Sequence, residues 1–144
     1  MNIYIRSQDY DLFKYLTDEE TKTLISRAEI ITLATAQNII AVGDNPSAIY
    51  IVRDGQLKLT SSAGVTINTI HQGEIVGEVF LYSTVASPFS VSSTKPSVVI
   101  KVPYDVINEF MNESAENASR IQAAINDTLC QKTIRITHYK DHNE

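Results

Sequence analysis

A chain of 144 residues, 43% hydrophobic and 20% charged, has room for one domain with a real core and shows the composition of neither a disordered segment nor a fibrous repeat. Its net charge is −5, with acidic and basic residues interleaved, so no stretch offers the basic footprint of direct nucleic-acid binding. No apolar run reaches the ~18 residues that cross a bilayer, the segment Met1 to Arg6 lacks a signal peptide's charged-then-apolar order, and the single cysteine, Cys130, can build neither an internal disulfide nor a metal site alone; the chain reads as cytoplasmic, away from membranes.

The N-terminal segment, residues 1–27, reads as helical, with Phe13, Leu16, Leu24 and Ile25 as its apolar positions. Thr17-Asp18-Glu19-Glu20 is a capping box that starts a second short helix. The five glycines, Gly43, Gly55, Gly64, Gly73 and Gly77, all fall in the middle of the chain. They punctuate short β-branched segments: Ala28 to Leu33, Asn38 to Val42, Ala48 to Arg53, Gln56 to Thr60 and Val65 to Ile70, followed by Phe89 to Ser93 and Ser97 to Val102. Short strands at even spacing with turn signals predict an antiparallel roll or barrel over residues 28–103. Ile49-Tyr50-Ile51-Val52 has no polar interruption and reads as buried on both faces, whereas Leu57 and Leu59 alternate with Lys58 and Thr60 as in a strand with one wet face. Asp54-Gly55 between these two runs predicts a hairpin that pairs them.

Beyond the roll, Pro103 suits a helix's first turn, and Val106, Ile107, Phe110 and Met111 follow at helical spacing. Asn112-Glu113-Ser114 breaks that helix from a last one carrying Ala118, Ile121, Ile125, Thr128, Leu129, Lys132 and Ile136 on one stripe. The stripe fits two readings: packing onto the roll, or a homodimer or partner seam over residues 114–138, weakened by Lys132 at an inward position. Residues 104–138 are thus expected as C-terminal helices and 139–144 as a polar tail, with neither a second domain nor a helix-turn-helix expected after it. Catalysis finds no support. His71, His138 and His142 are not spaced to converge on a metal, and there is neither a Gly-x-Ser-x-Gly elbow nor a P-loop, so no enzyme, catalytic residue or metal site is expected.

Four motifs in order, Val42-Gly43-Asp44, Ile49 to Gly55, His71-Gln72-Gly73-Glu74 and Ile75 to Leu81, closely resemble the cyclic-nucleotide-binding family of catabolite-activator-like regulators, kinase regulatory subunits and channel gating domains. The resemblance covers nearly the whole chain. It implies a mainly β fold with flanking helices: an antiparallel double-stranded, jelly-roll-like β-roll with N-terminal helices, a short cassette helix near 77–87, and C-terminal helices. In that family the cassette's amides face the cyclic phosphate and its glutamate accepts the ribose 2′-hydroxyl; Gly77 and Glu78 match these positions, and Val79, Phe80 and Leu81 continue the cassette. The family then uses an arginine that grips the phosphate through a bidentate contact, which lysine does not reproduce. Family spacing puts Ser87 there, no arginine lies between Arg53 and Arg120, and Lys95 falls in a polar turn before Pro96. Pro88 and Phe89 replace small residues whose amides complete the cradle, and proline has no amide hydrogen; Ser90 returns to the pattern at a hydroxyl position that can face the base.

Losing a charge-assisted contact of ~1.5–3 kcal/mol, and leaving a phosphate without its cation, weakens binding by about two to three orders of magnitude. The sequence therefore predicts a non-enzymatic regulatory module in signal transduction, with lost or altered cyclic nucleotide binding. Its pocket would be empty, adapted, or filled by Phe89 or by the terminal helix, and its output would pass through the C-terminal helices to protein partners. The alternative is a weak but genuine cyclic AMP or cyclic GMP sensor resting on Glu78, Ser87 and Ser90.

Overall fold

Short strands with one apolar face bury it only against a second sheet, and this chain builds two. The computed structural model describes residues 6–81 and 83–143, with side chains for 6–81 and 83–133. The strands are β1 (Glu29–Leu33), β2 (Asn38–Ile40), β3 (Ala48–Asp54), β4 (Leu57–Ser61), β5 (Thr66–Ile70), β6 (Ile75–Val76), β7 (Phe89–Ser93) and β8 (Ser97–Pro103). They form two antiparallel four-stranded sheets, β1-β8-β3-β6 and β2-β7-β4-β5, which is the roll expected from the glycine punctuation. Among the described residues the one strand not anticipated is two-residue β6, inside the segment leading to the cassette.

The expected β3–β4 hairpin is not formed. Asp54-Gly55 does not join a hairpin, because β3 pairs with β6 and β8 while β4 pairs with β5 and β7. The turn is a corner that carries the chain from one sheet to the other. A register shift against β8 between Val52 and Asp54 starts the bend. Gly55 then takes φ +98° against β8, where an added Cβ would stand 2.1 Å from Ser97 Oγ, and Ser97 Oγ accepts the Gln56 amide at 3.0 Å. A contact from a strand 42 positions further along thus overrides the local turn chemistry. The local hairpin is β4–β5, closed by Ser61 N to Val65 O at 2.8 Å.

β3 is buried on both faces for a visible reason. Val52 joins Leu57, Leu59, Val91 and Val99 between the sheets, while Ile49 and Ile51 face the helices with Leu12, Phe13, Ile107 and Ile121. The N-terminal segment starts as two 3-10 turns, Ser7–Asp9 and Asp11–Phe13, and then α1 (Asp18–Ser26), whose capping box is complete: Thr17 Oγ1 accepts the Glu20 amide and Glu20 accepts that of Thr17. Pro103 does not enter the first turn of α2 (Tyr104–Glu113); it ends β8 as the residue before it. The chain breaks at Ser114, whose Oγ accepts the Asn117 amide, and α3 (Ala115–Asn143) follows. This helix runs through 139–143, which the sequence suggested as tail, because no Gly or Pro stops it.

Ile121, Ile125 and Thr128 are buried, Ala118 and Leu129 half-buried, where α3 lies against Asp11–Phe13, α2 and β5. The stripe's described part is therefore a packing face on the body; the side chains of Ile136, His138 and His142 lie outside the described residues. Polar contacts fasten α3 to the N-terminal segment: Arg120 grips Glu20 with two bonds of 2.8 Å, and Asp127 accepts Lys14 at 2.9 Å and the Tyr15 hydroxyl at 2.5 Å. Cys130 is exposed on α3.

Candidate functional site

The cassette starts where β6, pinned to β3, runs out. Gly77 turns the chain at φ +95°, and a Cβ there would stand 2.7 Å from Ala48 O, so both conformation and space require glycine. The expected cassette helix is one 3-10 turn, Glu78–Phe80, closed by Leu81 N to Glu78 O at 3.2 Å. From the start of α2 the Tyr104 hydroxyl donates to the Gly77 carbonyl. Burial above all, and the nearby Glu78 charge, push the Tyr104 phenol far above its ordinary range, so it stays a neutral donor.

Glu78 is only 1% exposed. Its Oε1 takes the ammonium of Lys132, from α3, and its Oε2 has no partner. The terminal helix therefore reaches into the cassette and ion-pairs with the carboxylate that the family resemblance assigns to the ribose. The sequence marked Lys132 only as a weak point in an apolar stripe. A cation at an inward position calls for a buried anion, but nothing in the sequence says which one.

Ser87, where the resemblance expects an arginine, is 2% exposed and spends its groups on the loop. Its amide donates to Asp44 O at 2.7 Å, its carbonyl accepts the Gly43 amide at 2.8 Å, and its hydroxyl donates to Phe89 O at 2.6 Å. It staples the β2–β3 loop to β7. Pro88 is exposed; Phe89 is half-buried, with its ring 5.7 Å from that of Phe80. Leu81 packs into the helix-facing core, Val79 stands at the surface, and the Ser90 hydroxyl turns to Thr60 O at 3.5 Å. The structure thus brings Gly77 and Glu78 together with Tyr104 and Lys132, and Phe80 together with Phe89, while Val79 and Ser90 are directed elsewhere.

Among the described residues two other buried side-chain atoms lack partners, Thr60 Oγ1 and Asn68 Nδ2; Asn68 sits opposite Leu59 and shares its inward face. A cleft of about 710 Å³ opens beside the cassette between Pro46, Phe80, Leu81, Val85 and Tyr104, and neither Glu78 nor Ser87 lines it. Among the described residues no group of His, Cys, Asp and Glu is arranged to hold a metal, and no helix is long and apolar enough to cross a membrane.

A family model described as cyclic nucleotide-binding domain matches residues 30–114. No curated protein matches the sequence. Among solved structures, a cAMP-binding regulatory protein from Silicibacter pomeroyi DSS-3, so described, superposes with TM-score 0.71 at 20% identity over 92% of this chain and 63% of its own. A cyclic nucleotide-binding protein from Geobacter metallireducens GS-15, so described, gives TM-score 0.78 at 20% identity over 92% of this chain and 99% of its own. The c-di-GMP responsive global regulator CLP of Xanthomonas campestris gives 0.75 at 16% identity over 85% and 62%. At these identities the likeness is one of fold, and the chain spans under two thirds of the Silicibacter and Xanthomonas proteins.

Proposed function

Because this chain belongs to the cyclic nucleotide-binding domain family, and its cassette carboxylate is held by its own terminal helix, we propose that it is a non-enzymatic regulatory module with altered cyclic nucleotide binding that signals through the position of α3. The carrying observation is the ion pair between Lys132 and the buried Glu78. Withdrawing α3 would leave a carboxylate buried and unpaired, so the state of the cassette and the docking of α3 are energetically one variable. Ser87 supports the altered binding, since it brings no charge and its hydroxyl is already committed to Phe89. The helical segment 114–138 would carry the signal to a protein partner or a second copy of the chain, in the cytoplasm.

Amide hydrogen exchange over residues 126–133 tests this in wild type and Glu78→Ala. Loss of the pair should speed exchange there by about tenfold or more, with the roll unchanged. Equal protection in both proteins would show that α3 ignores the cassette and would sink the reading. Calorimetric titration with cyclic AMP and cyclic GMP tests the binding half: micromolar affinity would contradict it, and dissociation constants of about a millimolar or weaker are expected.

A further inference from the structure

Two features of the Lys132–Glu78 pair do not suit a contact that merely plugs the cassette. Glu78 Oε2 is fully buried and has no hydrogen-bond partner, although a buried carboxylate oxygen left unpaired is costly. An ammonium also carries three donor hydrogens, and Glu78 Oε1 uses one of them. The pair therefore offers an acceptor and spare donors side by side. Among the described residues Lys132 is also the one cation that ion-pairs within the cassette. Arg53 lies near Tyr10, Lys58 is on the opposite face of β4 from Leu57 and Leu59, and Lys95 is exposed in the β7–β8 turn.

Building on the regulatory reading above, we propose that Lys132 is the cassette's anion anchor, a cation delivered by α3 in place of the arginine that Ser87 replaces. Its spare hydrogens bind an anionic phosphate oxygen while Glu78 Oε2 accepts a hydroxyl on the neighbouring part of the same ligand. The ligand class is a ribose phosphate with a free hydroxyl next to its phosphodiester, the chemistry that cyclic mononucleotides and cyclic dinucleotides share. An ammonium binds a phosphate oxygen as a point charge, without a guanidinium's fixed two-pronged geometry, so the site is weaker than an arginine site and less selective in orientation. It is also complete only while α3 is docked.

The experiment is a solution NMR titration of the full chain with cyclic AMP, cyclic GMP and cyclic di-GMP, each to about 10 mM where solubility allows, reading the Lys132 ε-methylene signal and the cassette amides. The expected result is saturable movement of Lys132 with at least one probe, a dissociation constant weakened at least about tenfold in Lys132→Gln, and recovery in Lys132→Arg. The identity of that probe separates the mononucleotide from the dinucleotide source. Tighter binding in Lys132→Gln would overturn the proposal by making the lysine a plug; so would no response of wild type to any probe. Either failure leaves the hydrogen-exchange result, and with it the regulatory reading, to stand or fall separately. Should Lys132→Gln not fold, the Lys132 signal in wild type, unmoved at saturation of the cassette amides, would refute the anchor by itself.

Discussion

Replacing Lys132 by alanine should cost stability out of proportion to its place near the end of the packed part of α3. The Glu78 side chain has no exposure and the Lys132 side chain 14%, so the variant leaves a carboxylate in the interior with neither oxygen partnered. Removing one member of a buried pair costs ~3–5 kcal/mol, and because water can reach the space that the lysine vacates, the low end applies, about 3 kcal/mol. With a urea slope of roughly 2 kcal/mol/M for a domain of this size, the unfolding midpoint should fall by about 1.5 M. Glu78→Gln should cost less, about 1–2 kcal/mol, since the amide still accepts a hydrogen bond and the partly exposed ammonium can turn to water. Joint replacement, Lys132→Met with Glu78→Leu, should be milder than Lys132→Ala alone, because no charge is then stranded. Equilibrium urea unfolding followed by circular dichroism measures all three. A Lys132→Ala midpoint within about 0.3 M of wild type would mean that the pair behaves as a solvated surface contact, and the reasoning about the closed cassette would fail.

Gly77→Ala should destabilise by about 2–3 kcal/mol in the same assay, from the positive φ and from the Cβ that would meet Ala48 O. Arg120→Ala should lose about 1 kcal/mol near neutral pH, its bidentate contact with Glu20 being three-quarters shielded from solvent. The Glu20 carboxyl is held below its ordinary value, first by the Thr17 amide and then by Arg120, so this contribution is present above the unfolded carboxylate range and is lost as pH falls through the lower folded value. The wild-type advantage over Arg120→Ala should accordingly shrink in acid, and an advantage that grew would contradict the assignment. Tyr104→Phe should remove a component that ionises well above the ordinary phenol range from a phenolate absorbance titration and cost about 1 kcal/mol, the worth of the bond to Gly77 O.

The fold was legible because the signals that define it are local. Phe89 to Ser93 carries its strand signal in its own residues and is β7 from end to end, and Thr17 with Glu20 starts α1 through contacts only three residues apart. Where distant contacts decide, the sequence misled or was silent. Asp54-Gly55 carries hairpin chemistry, yet Ser97, 42 positions beyond Gly55, holds it as a corner between sheets. The candidate site shows the same division. Gly77 and Glu78 stand out by their order in the motif, and Ser87 by carrying no charge where the resemblance expects an arginine. That Ser87 would become a staple to Asp44 and Phe89 was invisible, because its hydrogen bonds are set by the backbone of the β2–β3 loop. Lys132 was visible only as an anomaly in its stripe, since pairing across 54 residues of sequence leaves no local trace.

Where a cassette keeps its cation decides what the ligand can control. A cation on the loop after the cassette contacts a bound anion whatever the terminal helix does, so the helix must sense the ligand through separate contacts. A cation on α3 binds the anion only when α3 is docked. With the proposed anchor, ligand binding and helix docking therefore share one free energy: if Lys132 strengthens binding about tenfold, the ligand favours docked over undocked α3 by that same factor. The pair with Glu78 sets the starting point, since it ties α3 to the cassette. A ligand that leaves this pair intact and adds contacts to Oε2 and to the spare ammonium hydrogens can only tighten the docking, whereas one that must displace Lys132 from Glu78 would release the helix. Tightening and release are opposite outputs from one pair of residues, and the sign of the change in α3 hydrogen exchange on adding ligand distinguishes them.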